Sequence, residues 1–258
     1  MTDPDPHVLS AREGDVLTLT LTNPGRRNAL TWDMYEQLQH ACVAAAADAT
    51  LRAVVIRGGQ GDGFAAGTDI AQFAGFDGAA GVAYEHRVGA VLGALRDIPV
   101  PTIAAVSGAA VGAGLAIAAT CDLVIAERGS VFGAPIVRTL GNCLPAPVVA
   151  RLVARLGASH TASILLGARL ALAEELGGFV HRLAEPGELD VALAETLTAT
   201  GRSAPLALRS LKQTLRRLED AIPVPGNDDL LEACYGSADF AEGVAAFTAK
   251  RHPHWKGA

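Results

Sequence analysis

The chain has 258 residues and a net charge of −6; half of its residues are hydrophobic and 19% are charged. This composition supports a full hydrophobic core and argues against long disordered stretches. A net negative charge provides no general basic field, so nucleic acid is not expected as the main partner.

The cysteines and histidines also limit the possible functions. The four cysteines show no CxxC or paired spacing, which favours a reduced, cytoplasmic protein. The seven histidines form no ligand-spaced cluster with Cys, Asp or Glu, so no metal site is predicted. Residues 98–121 carry no charge, but their prolines and glycines favour a buried strand, turn and helix over a membrane span.

The first half of the chain predicts strands that alternate with helices. Alternating apolar residues on both sides of Gly14-Asp15 predict a hairpin over residues 8–22. Thr31 is placed to begin a helix over residues 32–47, and residues 51–57 predict a buried strand. Residues 71–96 read as a loop followed by a helix.

The central stretch, residues 103–126, predicts a strand, a glycine-spaced turn, a helix to about Thr120 and a second strand from Leu123. Asp122 is expected to cap or form an ion pair at the helix end. Residues 130–147 are rich in turn formers, and residues 148–156, 158–166 and 171–176 predict helices. A short strand is expected within 177–183, and helices follow from residue 188. The order predicts an α/β core with a helical C-terminal region.

Two glycine-rich loops, each after an apolar strand, carry the strongest chemical signal. They place small residues at 65–68 and 112–114, where a backbone must approach a ligand closely. Two N–H donors from separate loops can converge on one carbonyl oxygen, and a helix start beneath one of them adds favourable charge. Such an oxyanion hole is therefore the predicted role of the two loops.

Five segments in order resemble the crotonase (enoyl-CoA hydratase/isomerase) superfamily. They are NPGRRNAL (23–30), AVVIRGGQGDGFAAGTDI (53–70), PTIAAVSGAAVGAGLAIAATCDLVIA (101–126), SVFGAPI (130–136) and DFAEGVAAFTAKRHPHWKG (239–257). The resemblance implies a spiral of ββα turns, with residues 1–200 forming the acyl-CoA-binding core. Residues 201–258 would then form a helical trimerisation region, and the protein would assemble as a homotrimer or a dimer of trimers.

The resemblance also implies the ligand and the residues that bind it. An acyl-CoA thioester would be bound, with no cofactor beyond the coenzyme A of the substrate. Its thioester oxygen would accept hydrogen bonds from the backbone N–H groups of Thr68 and Ala113. The resemblance implies further contacts to coenzyme A from a set of residues in the first two segments and the tail: Arg26, Arg27, Ala66, Asp69, Ile70, Phe247 and Lys250. The last two would approach the adenine of a neighbouring subunit's coenzyme A.

The sequence departs from the family at both hydratase glutamates. The first glutamate would stand on the helix after the second glycine loop, two residues after its last glycine, where this chain has Ala116. The second would follow the proline of the FGAP motif, where this chain has Ile136. Hydration needs one group to deprotonate water and another to protonate the α-carbon, and neither alanine nor isoleucine can do this. True hydration is therefore doubtful on the sequence.

Several nearby side chains are alternative candidates. Arg138 could bind a substrate carboxylate, although a surface ion pair is its commoner role. Asn142 could donate to an enolate, but asparagine more often stabilises a turn. Cys143 is more often a small buried residue than a nucleophile. Tyr84, Glu85 and His86 could face the acyl pocket. Glu85 is the nearest available carboxylate, although an exposed helix face is the more common environment.

Three functions remain open on the sequence. The first is a lyase or isomerase acting on enoyl-CoA with a displaced acid or base. The second is an acyl-CoA decarboxylase or thioester hydrolase, which needs no glutamate at either position. The third is a CoA-binding pseudoenzyme with a structural role.

Overall fold

The computed structural model describes residues 5–59, 61 and 63–258; Gln60 and Asp62 of the first glycine loop lie outside the described residues. A six-stranded sheet forms the centre. In spatial order its strands are β1 (His7–Glu13), β2 (Val16–Thr22), β3 (Ala53–Gly58), β4 (Thr102–Val106), β6 (Leu123–Glu127) and β9 (Arg182–Ala184). The β1–β2 pair is the predicted antiparallel hairpin, and the remaining pairs are parallel.

A three-stranded sheet stands beside the first and consists of β5 (Ala109–Val111), β7 (Val131–Gly133) and β8 (Leu170–Leu172). β5 runs parallel to β7, and β7 runs antiparallel to β8. The prediction of a helix over 171–176 is therefore wrong: this segment ends a strand and continues as a single 3₁₀ turn. The segment 130–147, expected to consist of turns, contains β7 and two helix starts.

The helices surround both sheets, and they lie mainly where the hydrophobic pattern predicts them. Their bounds are α1 (Trp32–Ala47), α2 (Gly78–Asp97), α3 (Ala113–Thr120), α4 (Ile136–Thr139), α5 (Ala146–Leu165), α6 (Leu189–Gly201), α7 (Pro205–Asp220), α8 (Asp228–Tyr235) and α9 (Ala238–Thr248). Gly157 interrupts α5 with a φ of 76°, which explains why the sequence reads as two helices there. The mixed α/β class with a helical C-terminal region is confirmed.

The parallel strands are buried on both faces because helices cover both sides of the main sheet. Val54 and Ile56 of β3 face the larger core, while Val55 between them packs into a second cluster with α6. Tyr235 of α8 and Phe240 of α9 belong to the larger core, so these C-terminal helices complete the interior around α2. Over residues 5–59, 61 and 63–258, no helix is long and apolar enough to cross a bilayer.

Asp122 forms the ion pair expected at the end of α3. Its Oδ2 accepts hydrogen bonds from the backbone N–H of Thr102 at 2.7 Å and from Lys212 Nζ at 2.6 Å. Burial lowers the pKa of Lys212, and the negative charge of Asp122 partly offsets this decrease. The contact ties α7 to the start of β4, and it thereby holds the strand that leads into the second glycine loop.

Candidate active site

The two glycine loops meet because they follow neighbouring parallel strands. The first loop leaves β3 and the second leaves β4, and carboxyl ends of parallel strands lie at one edge of a sheet. The Ala65 N–H donates to Ala109 O at 2.9 Å, and the Val111 N–H donates to Ala65 O at 2.9 Å. This pairing fixes the relative position of the two loops through backbone atoms.

Gly67 and Gly112 bring Thr68 and Ala113 towards each other. Gly67 has a φ of 106° and Gly112 a φ of 56°, conformations that favour glycine. A Cβ built on Gly67 would lie 4.0 Å from Ala113 N. Among the described residues, neither the Thr68 N–H nor the Ala113 N–H has a hydrogen-bond acceptor. Two unengaged donors on adjoining loops are therefore available to a ligand.

Ala113 is the first residue of α3, and its N–H belongs to the first turn of that helix. The cap residue, Gly112, has no side chain that could accept a hydrogen bond from this turn. N–H groups in the first turn of a helix have no intrahelical acceptor, and the helix dipole makes this end partially positive. This end of α3 therefore favours an oxygen that carries negative charge.

Two buried tyrosines fix the side chain of Thr68. Thr68 Oγ1 lies 2.7 Å from the hydroxyl oxygen of Tyr35 and 2.7 Å from that of Tyr84. Burial raises the pKa of both phenols well above the usual value, so both hydroxyls stay neutral. The three hydroxyls hold the first loop against α1 and α2, and the backbone N–H of Thr68 remains available.

Ala116 and Ile136, at the two hydratase positions, supply no titratable group. Ala116 is buried on α3 and lines a cavity of about 500 Å³ between α2, α3, α5 and the chain after α7. Ile136 is half-buried and begins α4. The cavity carries charge at one end, where Arg96 and Arg151 pair with Glu219. Apolar side chains therefore stand at both positions where the resemblance leads us to expect a carboxylate.

The expectation that Glu85 occupies an exposed helix face is wrong. Glu85 is only 5% exposed, and its Oε1 accepts a hydrogen bond from the Tyr235 hydroxyl at 2.5 Å. Asn142, also buried, donates from Nδ2 to the Tyr235 oxygen at 2.9 Å rather than stabilising a turn. Sequence reasoning missed Tyr235, which reaches this position because Gly81 leaves room for its ring. A Cβ on Gly81 would lie 2.1 Å from Tyr235 Cγ.

Three other candidates, all among the described residues, form no hydrogen bond with this network. The side chain of Arg138 is exposed. Cys143 is half-buried, with its Sγ 3.7 Å from Leu230 O, and burial raises the pKa of its thiol to about 12. His86 is exposed and pairs with Asp228 at 3.0 Å. None of these observations supports a nucleophile or a carboxylate-binding group in the cavity.

The residues expected along coenzyme A border the first glycine loop. Arg26 and Arg27 are exposed, and the Ala66 N–H donates to Arg27 O at 3.0 Å. Asp69 caps the 3₁₀ turn that Ile70 begins, because its Oδ1 accepts from the Ala71 N–H at 3.1 Å. Two cationic side chains therefore stand on a loop that is attached directly to the candidate site.

Phe247 and Lys250 lie at the end of α9 and are both exposed. Lys250 has a φ of 52° and follows the last turn of the helix. Their predicted contact with a neighbouring subunit's coenzyme A stays a prediction. Within the described part of the chain, no group of three or more His, Cys, Asp or Glu side chains is placed to hold a metal ion.

The fold and the paired loops define a crotonase-type α/β protein, and comparisons with known proteins give the family. The family described as enoyl-CoA hydratase/isomerase matches residues 11–258. The 2,3-dehydroadipyl-CoA hydratase of Escherichia coli (strain K12) is 33% identical over 256 residues, which cover 97% of this chain and 98% of the relative. The chain therefore belongs to the enoyl-CoA hydratase/isomerase family.

Solved structures agree with this assignment. A structure of an enoyl-CoA hydratase/carnithine racemase from Magnetospirillum magneticum is 33% identical, with a TM-score of 0.80 over 97% of this chain and 96% of the other. A methylmalonyl-CoA decarboxylase bound to 2-nitronate-propionyl-CoA has a TM-score of 0.86 over 97% of this chain and 98% of the other. At 24% identity, the second likeness shows the fold alone.

Proposed function

We propose that this protein binds an acyl-CoA thioester and stabilises the enolate of its acyl group. The thioester oxygen would accept hydrogen bonds from the backbone N–H groups of Thr68 and Ala113. The observation that carries the proposal is that Gly67 packs beside Ala113 N while both N–H groups lack an acceptor among the described residues. Preorganised donors of this kind stabilise developing negative charge at an oxygen.

The surroundings of the two donors support this ligand. Arg26 and Arg27 stand on the loop that bonds to Ala66, where they can attract the phosphates of coenzyme A. Ala116, one helical turn after Ala113, lines a cavity that offers space for an acyl group. The 2,3-dehydroadipyl-CoA hydratase named above acts on a CoA thioester by its name.

Among the candidate reactions, we favour an enoyl-CoA isomerase or lyase that uses a displaced acid or base. The buried carboxyl group of Glu85 supports this choice because it lies on the helix that lines the cavity. A decarboxylase or thioester hydrolase is the alternative, but the exposed Arg138 gives it no support. A cavity of about 500 Å³ argues against a pseudoenzyme with a closed pocket.

We also propose assembly as a homotrimer or a dimer of trimers. Helix α7 carries exposed leucines at 211, 215 and 218, which follow the helical period and share one face. Such an apolar stripe is typical of a surface that is covered in an assembly. The division at residue 201 and a cytoplasmic location stay predictions.

The test of the proposed site combines binding with deuterium exchange. Butanoyl-CoA would be titrated by calorimetry, and exchange of its α-protons in D₂O would be followed by mass spectrometry. Ala113→Pro removes one N–H at the first helical position, where proline is tolerated. We expect exchange to fall by about 10²–10³, as for loss of one oxyanion donor.

Ala113→Ser is the matched control because it changes the same side chain and keeps the N–H. It should exchange at a rate close to that of the unaltered protein. Equal exchange by Ala113→Pro and Ala113→Ser would show that this N–H does not hold the enolate oxygen. Failure of the unaltered protein to bind butanoyl-CoA would overturn the proposed function as a whole.

A further inference from the structure

The buried carboxyl group of Glu85 has no cationic partner within the described part of the chain. The ionisable groups that face it are Tyr35 of α1, Tyr84 of its own helix, Tyr235 of α8 and Cys143 after α4. An isolated buried carboxylate is costly, and such groups persist mainly where they have a function. Burial raises the pKa of Glu85 to about 7.

The hydrogen bonds around Glu85 have a defined direction. A phenol has one proton, so Tyr235 can accept from Asn142 Nδ2 and donate to Glu85 Oε1. This arrangement stabilises the ionised carboxylate through one of its oxygens. The other oxygen, Oε2, accepts no hydrogen bond from the described residues. Glu85 thus has one fixed oxygen and one oxygen that can exchange a proton.

Glu85 lies on α2, which contacts both elements that carry the N–H donors: the first loop through Tyr84 and α3 across the cavity. Glu85 lies four residues before Gly89 on α2, so both residues project from one face of that helix. Gly89 lines the cavity together with Ala116, which lies one turn after Ala113 on α3. The preceding residue, Tyr84, bonds to Thr68 Oγ1. Glu85 therefore lies on the face of α2 that borders the cavity, next to the tyrosine that bonds to Thr68.

We propose that Glu85 is the residue that removes and returns the α-proton of the bound acyl group, with Tyr235 and Asn142 positioning its carboxylate. In this step the α-carbon–hydrogen bond breaks and its proton goes to Oε2 of Glu85. The electron pair forms the enolate, whose oxygen the Thr68 and Ala113 N–H groups hold. This inference rests on the proposed function. Glu85 would supply the base that Ala116 and Ile136 cannot provide.

The experiment measures α-proton exchange of butanoyl-CoA in D₂O as a function of pH, with binding measured in parallel. In the unaltered protein, exchange should rise as the pH increases through about 7 and then level off, because a base must be ionised. Glu85→Gln keeps the shape of the side chain and removes the base. We expect its exchange to fall by at least about 10²-fold, with butanoyl-CoA affinity changed less than about threefold.

Tyr235→Phe tests the positioning role. It removes the donor that stabilises the carboxylate, so the rise in exchange should move to higher pH. Unchanged exchange in Glu85→Gln would overturn the inference while leaving the N–H site intact. If the unaltered protein bound butanoyl-CoA without exchanging its α-protons, both the role of Glu85 and the proposed enolate chemistry would be overturned. Equal exchange by Ala113→Pro and Ala113→Ser would instead count against the proposed N–H site.

Discussion

Gly114 of α3 lies directly against the carbonyl group of Ala65 in the first glycine loop. A Cβ at position 114 would stand 2.2 Å from Ala65 O, a distance that no side chain can occupy. Glycine at this position is therefore what allows α3 to begin beside the first loop. The proximity of the two candidate N–H donors depends on this contact.

Gly114→Ala should force α3 away from the first loop. We expect a loss of stability of about 1–3 kcal/mol, as for other overpacked sites, together with a large loss of exchange activity. Thermal unfolding and butanoyl-CoA exchange would measure the two effects. Gly201→Ala in α6 is the control, because a Cβ there meets nothing within 4 Å. A Gly114→Ala protein that unfolds and exchanges like Gly201→Ala would contradict this account.

Thr68→Val should weaken the first loop without removing its backbone N–H. The substitution takes the bonding partner from the buried hydroxyls of Tyr35 and Tyr84, and each unpaired group costs about 1–3 kcal/mol. Urea unfolding would detect a lower midpoint. Thr68→Ser retains the oxygen and should unfold close to the unaltered protein. Equal midpoints for both variants would show that the hydroxyl cluster contributes little.

The raised pKa of Glu85 predicts that stability depends on pH. Between its unfolded value of about 4.5 and its folded value of about 7, the folded state holds the proton and the unfolded state releases it. Stability should therefore fall as the pH rises through this window, by about 3 kcal/mol in total at 1.36 kcal/mol per unit. Urea midpoints at pH 5 and pH 8 would measure the fall.

Glu85→Gln should remove most of this pH dependence because glutamine does not titrate. The free energy of unfolding of Glu85→Gln, relative to that of the unaltered protein, should be larger at pH 8 than at pH 5. His86→Gln, at the exposed neighbouring position, should retain the dependence attributed to Glu85. If Glu85→Gln and the unaltered protein lose the same stability between the two pH values, the folded-state pKa of Glu85 is not raised.

The two hydratase positions predict the outcome with crotonyl-CoA. We expect little or no gain of one water by the unaltered protein, because Ala116 and Ile136 provide neither required carboxylate. The double substitution Ala116→Glu, Ile136→Glu should give a slight gain, measured by mass spectrometry. The matched control is Ala116→Gln, Ile136→Gln, which adds similar volume without an acid. Robust hydration by the unaltered protein would contradict this prediction.

Much of the fold could be predicted from the sequence, because helix caps and hydrophobic periodicity are set by residues close together in the chain. Thr31 accepts a hydrogen bond from the Met34 N–H, and α1 begins and ends at the predicted residues. The strands β5, β7 and β8 were missed because three residues are too few for a period to show. These short strands are set by pairing with one another rather than by their own composition.

The site could be predicted only where backbone atoms form it. The glycine spacing predicted the two loops, and the family resemblance implied that Thr68 and Ala113 carry the donors. The burial of Glu85 could not be predicted, because it depends on Tyr235, which lies 150 residues further along the chain. Gly81 leaves room for the ring of Tyr235 and is the sequence feature that could have indicated a close contact at this point of α2. A single glycine in a helix does not specify which residue packs against it.

The position of the thioester oxygen in a complex with butanoyl-CoA tests the central claim most directly. A crystal structure of that complex would give the distances from this oxygen to Thr68 N and to Ala113 N. We predict that both distances fall between about 2.7 and 3.1 Å, as in an oxyanion hole. A thioester oxygen beyond hydrogen-bonding distance of both nitrogens, with the acyl group otherwise bound in the protein, would contradict it.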